Sequence, residues 1–153
     1  MTAPSKPSFL AVLRIIAVAA SLEQRFNPNL GSLHGLTLQH FLLLMNVARA
    51  PLRRMRRVDL AAALSLGASS ISHIADPLEK EGLLARESDS RDARVVYVTL
   101  TDLGAQRIEE AQQTISGMSA RIFDERWSAT DIEQFVNRLG FLTYGSVSNI
   151  VDD

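Results

Sequence analysis

The sequence predicts a mainly α-helical chain that carries a single β-hairpin, an α+β class in which helices dominate. Leu60, Leu64, Leu66, Ile71 and Ile74 have the spacing of two short helices packed across a tight turn, with Ala61 small enough for the crossing point. Ala85–Glu87 and Arg94–Leu100 then read as two strands joined by the polar turn Ser88–Ala93. A hairpin placed directly after a helix-turn-helix makes a winged helix-turn-helix, and that order of elements points to a DNA-reading module.

The flanking elements follow in order. Ser8 reads as the cap of a helix running to about Arg25, with Phe9, Val12, Leu13, Ile16 and Ala20 on one stripe, and Pro28, Asn29, Gly31 and Gly35 as a loop after it. Thr37 caps the next helix, which is apolar nearly all round through Val47 and ends before Pro51, so it belongs in the core. Thr101 caps a long helix from Asp102, with Ile108, Ala111, Ile115, Met118 and Ile122 at helical spacing. Ser128 opens a last helix carrying Ile132, Phe135, Val136, Leu139 and Leu142, extending to Val147, Ile150 and Val151. The first helix and the last two hold more apolar surface than a small reading module covers, which predicts a symmetric partner.

Composition narrows the function. A chain of 153 residues that is 46% apolar and has no long Pro/Gly/Ser-rich linker is expected to be one domain, 1–153. Arg14 interrupts the apolar run Phe9–Ala20, so neither a membrane span nor a signal peptide is expected and the protein reads as soluble and cytoplasmic. Cysteine is absent, which excludes disulfides, thiolate catalysis and a cysteine-oxidation switch. The net charge of −1 hides a division: Arg49 to Arg94 holds nine basic and seven acidic residues, whereas Asp102 to Asp153 holds four and nine. Five arginines, Arg49, Arg53, Arg54, Arg56 and Arg57, precede the helix-turn-helix. As a plain helix end and loop they are solvated charge, and beside a winged helix they are phosphate contacts, Arg57 among them.

The residues Asp59-Leu60-Ala61, Ser69-Ser70-Ile71-Ser72, Asp76, Leu78 to Leu84, Asp92-Ala93-Arg94 and Val98 to Thr101 resemble the multiple-antibiotic-resistance regulator (MarR) family of winged-helix transcription factors. The resemblance is best over Leu36 to Gly104. It departs from the family pattern at Ser65, where a glycine is usual, at Ala93, where an arginine is usual, and at Pro77, which is expected to kink the second helix of the motif. The resemblance implies a reading part over 37–101, with the helices of 8–30 and 102–153 interleaving into a homodimer. It also implies a regulator of transcription, a repressor by expectation, that binds a pseudo-palindromic stretch of double-stranded DNA.

On that reading Ala68, Ser69, Ser70, Ser72 and His73 form the leading face of the helix in the major groove, although Ser69 reads equally well as a helix cap. At the wing tip Arg91 is the cation without a local partner and is assigned to the minor groove or its phosphates. Arg94 counts as a second wing contact, while its spacing from Asp92 also suits a local ion pair that shapes the turn. The resemblance further implies a small aromatic or phenolic effector, for which Arg14, His34, His40, Met45 and Arg49 are the candidate lining. His34, His40 and His73 are the only histidines and complete no ligand set, so neither a metal nor another cofactor is expected. No nucleophile elbow, phosphate loop or zinc-helix motif is present, which argues against an enzyme. The alternative left open by Pro77 and Ala93 is a helical dimeric interaction module that has lost specific DNA binding.

Overall fold

The computed structural model describes residues 6–123 and 125–142. The order is α1 (Pro7–His34), α2 (Leu38–Arg49), a 3-10 turn (Pro51–Arg53), β1 (Arg54–Arg56), α3 (Arg57–Ala63) and α4 (Ala68–Lys80). The wing strands β2 (Leu84–Ser88) and β3 (Val96–Leu100) follow, then α5 (Asp102–Ile122) and α6 (Ala129–Gly140). This is a winged helix-turn-helix with flanking helices, the class the sequence predicts.

Helix α1 is longer than expected. It begins one residue before Ser8, with Lys6 at the cap position, and it runs through Pro28 and Gly31 rather than ending near Arg25. Pro28 removes one backbone donor, but Phe26 and Leu30 on either side of it are buried, and their burial outweighs local helix preference. The helix stops at Gly35, where the Gly35 and Leu36 N–H groups donate to the Gly31 and Leu30 carbonyls. Asn27, on the same stretch, accepts the Leu38 N–H at 2.7 Å and so ties α1 to the first residue of α2. Helix α4 likewise continues through Pro77 to Lys80, so the proline does not break it.

The core joins α1 to α5 and the sheet. Leu30, Leu36, Leu43, Leu44, Leu60, Ile71, Leu78 and Leu83 are almost wholly buried, each contributing roughly 1.5–3 kcal/mol of apolar burial. Ile108 and Ala111 of α5 belong to the same cluster. Helices α3 and α4 meet at 107°, and Ala61 is buried at their junction, its carbonyl accepting the Leu66 N–H. The missing turn glycine leaves a mark: Ser65 takes φ 53, a left-handed conformation that costs a side-chain-bearing residue ~1 kcal/mol. Helix α4 ends on Gly82 at φ 75, with the Leu83 N–H returning to the Leu78 carbonyl.

The sheet has three strands rather than two. β3 pairs with β2 on one side, Leu84 opposite Leu100 and Ser88 opposite Val96, and with β1 on the other, Arg54 opposite Thr99 and Arg56 opposite Tyr97. Part of the arginine cluster is therefore an edge strand, where a helix end and loop were expected. After the wing, Thr101 caps α5 as expected, accepting the Gly104 N–H at 3.0 Å and donating to the Gly82 carbonyl at 2.7 Å. Gly104 lies so close to the strand that a Cβ there would sit 2.1 Å from the Leu83 carbonyl oxygen. Ser128 opens α6 through a capping box with Asp131. Val147, Ile150 and Val151 lie outside the described residues.

Two substitutions probe this packing in opposite directions. Ser65→Gly is expected to stabilise by ~1 kcal/mol, because it relieves the left-handed strain. Gly104→Ala is expected to cost at least ~3 kcal/mol, because backbone must move to admit the methyl group. Urea unfolding at one fixed protein concentration measures both. A Gly104→Ala protein as stable as the parent would show that α5 does not press on Leu83.

Candidate nucleic-acid interface

Helix α4 has three sides. Ile71, Ile74, Ala75 and Leu78 recur at helical spacing and are buried, which fixes the roll of the helix. Ser72, Asp76 and Glu79 form one flank. Ser69, Ser70, His73 and Lys80 lie away from the core and are exposed, with no side-chain hydrogen bond among the described residues. The set of residues expected along one leading face is thus divided, with Ser72 on a different side from His73. Ser69 does not cap the helix, since Gly67 holds that position and no side chain caps there.

The Ser72 flank is occupied by two arginines. Arg57 NH1 donates to Ser72 Oγ at 2.8 Å, and its NH2 donates to Glu79 Oε1 at 2.8 Å and Asp76 Oδ1 at 3.3 Å. Arg86 of β2 reaches the same carboxylates, Nε to Glu79 Oε2 and NH2 to Asp76 Oδ1 at 2.9 Å. Glu79, then Asp76, holds the Arg86 guanidinium above its ordinary pKa. Arg57 was expected to contact phosphate. Its donors are instead engaged within the chain, and its Nε is buried without an acceptor among the described residues. Leaving such a donor unmatched costs about 1–3 kcal/mol, which offsets much of what the ion pairs contribute.

A second set of contacts holds the opposite side of β2. Arg54 donates to Glu87 Oε1 at 3.1 Å, Thr99 donates to Glu87 Oε2 at 3.2 Å, and the Arg54 guanidinium sits 4.5 Å from the centre of the Tyr97 ring. Sequence reasoning missed Arg86 and Glu87, and it read Arg54 only as one of five candidate phosphate contacts. The signal available was the i, i+4, i+7 spacing of Ser72, Asp76 and Glu79, a polar stripe beside an apolar one.

At the wing tip, Asp89 accepts the Arg91 and Asp92 N–H groups at 2.7 and 3.2 Å. Arg94 folds back on Asp92, with Nε to Oδ1 at 3.1 Å, and holds that carboxyl below its usual range. This is the local pair that the spacing suggests, although the Arg94 side chain stays 91% exposed. The Arg91 side chain has no acidic partner among the described residues and is exposed.

An exposed polar flank of α4 thus lies beside a braced wing whose Arg91 has no acidic partner among the described residues. A sequence model of the MarR family matches residues 34–95, the segment that carries both. The winged-helix segment of this chain is similar to the MarR family. The whole fold agrees with solved MarR-type structures. BldR, a transcriptional regulator from Sulfolobus solfataricus, is 25% identical with a TM-score of 0.76, the match covering 89% of this chain and 96% of that one. AbsC, a MarR family regulator from Streptomyces coelicolor, is 23% identical with a TM-score of 0.78, covering 92% and 95%. A further MarR family regulator from Streptomyces coelicolor, solved in complex with DNA, is 23% identical with a TM-score of 0.78, covering 93% and 89%.

The five residues expected to line an effector pocket are not gathered in this MarR-like chain. Arg14 is exposed on α1, Arg49 is exposed at the end of α2, and Met45 packs in the core. His34 Nε2 pairs with Thr114 Oγ1 at 2.8 Å, while Arg107 donates to the His34 carbonyl at 2.7 Å, so the end of α1 is fastened to α5. His40 completes the capping box of α2: Thr37 Oγ1 accepts the His40 N–H at 3.1 Å and His40 Nδ1 accepts the Thr37 N–H at 3.3 Å. Two adjoining open concavities of 370 and 450 Å³ lie between α2 and α4 and share Gln39, His73 and Ile74. Of the five candidates, only His40 lines either. Among the described residues, no group of three or more His, Cys, Asp and Glu side chains is placed to hold a metal ion.

The capping box gives α2 a pH dependence. Burial lowers the His40 pKa below the ordinary 6.5, against a smaller opposing pull from Glu81. The unfolded chain therefore binds this proton more readily, so stability is complete above pH 6.5 and falls as the pH drops through that value. Protonation also removes the Nδ1 acceptor. His40→Gln, which keeps a capping-box acceptor, is expected to abolish a loss of up to ~1 kcal/mol between pH 7.5 and 5. Urea midpoints at the two pH values measure it, and equal pH dependence in parent and variant would refute the assignment.

Proposed function

We propose that this protein is a transcriptional regulator that reads a pseudo-palindromic duplex as a homodimer. The observation that carries the reading is the combination of exposed, unmatched Ser69, Ser70 and His73 on α4 with unmatched Arg91 on the wing. Both belong to one winged helix whose fold is that of MarR family regulators, one of them solved in complex with DNA. Hydroxyl and imidazole groups suit base edges in the major groove, and an unpaired wing arginine suits the minor groove or its phosphates. Arg94, largely exposed, adds a second cation near the backbone, while Ala68 offers apolar contact at the helix start. In this reading the protein is a regulator rather than an enzyme, and it acts in the cytoplasm, where such a reader meets its DNA.

The dimer is inferred from uncovered apolar surface. Phe9, Leu10, Val12, Leu13, Ile15, Ile16 and Val18 of α1 are all exposed in the single chain, and α6 buries no residue fully. Phe123, Trp127 and Phe135 cluster at the α5–α6 corner with ring centres 5.4 to 6.3 Å apart, and leave Phe141 84% exposed. A second copy interleaving α1, α5 and α6 covers these faces, so residues 8–30 and 102–153 are the proposed dimerisation part and 37–101 the reading part. Repression, with release by a small aromatic acid bound where reading and dimer parts meet, completes the proposal. No single helix among the described residues is long and apolar enough to cross a membrane.

Selection from random duplexes at ~0.15 M salt tests the reading. An inverted repeat with half-sites centred about 10 base pairs apart is expected to enrich. Enrichment of nothing, or a monomer mass by light scattering at micromolar concentration, would overturn it in favour of an interaction module. With the enriched site, Arg91→Ala is expected to weaken all sequences alike and to reduce the log–log salt slope by about one unit per subunit. His73→Ala is expected to change the preferred sequence and leave that slope in place.

A further inference from the structure

We infer that Arg57 and Arg86 are positioning residues for DNA reading: by sharing Asp76 and Glu79 they lock α4 to the wing as one rigid reading head. The inference rests on the DNA-reading role proposed above. Arg57 comes from the first turn of α3, the two carboxylates from α4, and Arg86 from β2, so three separate elements meet in four side chains. Asp76 Oδ1 accepts from both guanidinia, and Glu79 gives one oxygen to each. A carboxylate bridging two planar forks fixes two directions at once, which a single ion pair or an apolar contact does not.

Three features separate this role from a phosphate contact. The cluster holds two cations and two anions, so it presents no net charge to a phosphate, unlike the unmatched Arg91. The Arg57 side chain is only 24% exposed and Glu79 15%, so this pair is withdrawn from solvent, while Arg86 and Asp76 close the cluster at its exposed edge. Arg57 NH1 also donates to Ser72 Oγ. A hydroxyl oxygen that accepts from a guanidinium is polarised toward donating its own proton, so Arg57 sets which partner Ser72 can take.

The experiment compares Arg57→Lys and Glu79→Gln with the parent protein. Arg57→Lys keeps the charge but loses the fork, and Glu79→Gln takes the Glu79 carboxylate from both arginines, leaving Asp76 as the acid they share. Hydrogen exchange on the free protein is expected to rise several-fold in residues 76–80 and 84–88 together in both variants. Specific over non-specific duplex affinity is expected to fall on the order of tenfold in each, with the salt slope unchanged. Full function in Arg57→Lys, tighter binding by Glu79→Gln, or exchange that rises in α4 without β2 would each overturn the inference. If the parent protein selects no duplex, the DNA-reading role fails, and the exchange measurement still decides whether the four side chains couple helix to wing.

Discussion

Burial of Ile71, Ile74, Ala75 and Leu78 sets the roll of α4, and what the molecule presents to solvent follows from that roll. Four apolar side chains at helical spacing leave the helix no freedom to turn without exposing one of them, at ~1.5–3 kcal/mol for each large residue. With the roll fixed, Ser72, Asp76 and Glu79 face α3 and the wing, while Ser69, Ser70 and His73 face out. The division between a structural flank and the proposed reading flank is thus a consequence of core packing.

Charge then separates in the same way. Arg54, Arg56, Arg57 and Arg86 each have a carboxylate within 3.1 Å, which removes them from the supply of cations that attract a phosphate backbone unspecifically. A chain of net charge −1 can hold many arginines near the proposed reading surface without becoming an indiscriminate polyanion binder, because most are neutralised in place. The partly buried pairs are worth little in stability, and the orphaned Nε of Arg57 lowers that further. Geometry is what they supply.

Periodicity made most of the fold legible. Helix spacing identified α2, α3, α4 and α5, the hydroxyl caps at Thr37, Thr101 and Ser128 stand where expected, and the hairpin lies within three residues of its predicted bounds. The errors have physical causes. Pro28 and Gly31 are strong local breakers, but the buried side chains Phe26 and Leu30 carried α1 past both, a tertiary effect that no local rule contains. Strand β1 is three residues long and made of Arg-Met-Arg, so it has no strand signature of its own and exists because β3 offers a free edge. At the site, the spacing of Ser72, Asp76 and Glu79 was visible in the sequence. Their partners at Arg57 and Arg86 are set by the turn between α3 and α4 and by the wing register, which periodicity does not give.

A reading head braced on both sides of β2 also limits how binding can be regulated. Arg86 with Asp76 and Glu79 holds one side of that strand and Arg54 with Glu87 and Tyr97 the other, so the angle between α4 and the wing resists change. In the proposed dimer the softer coordinate is then the distance between two intact heads, set by how α1, α5 and α6 pack across the axis. The fastenings nearest to that coordinate are His34 to Thr114 and Arg107 to the His34 carbonyl, which fix the end of α1 on α5. A ligand acts on such a coordinate only through a difference in affinity between the two spacings, ~1.4 kcal/mol for each tenfold change in operator binding. That difference has to be found in contacts between the reading part and the dimer helices, because the heads themselves look the same to the ligand in both states.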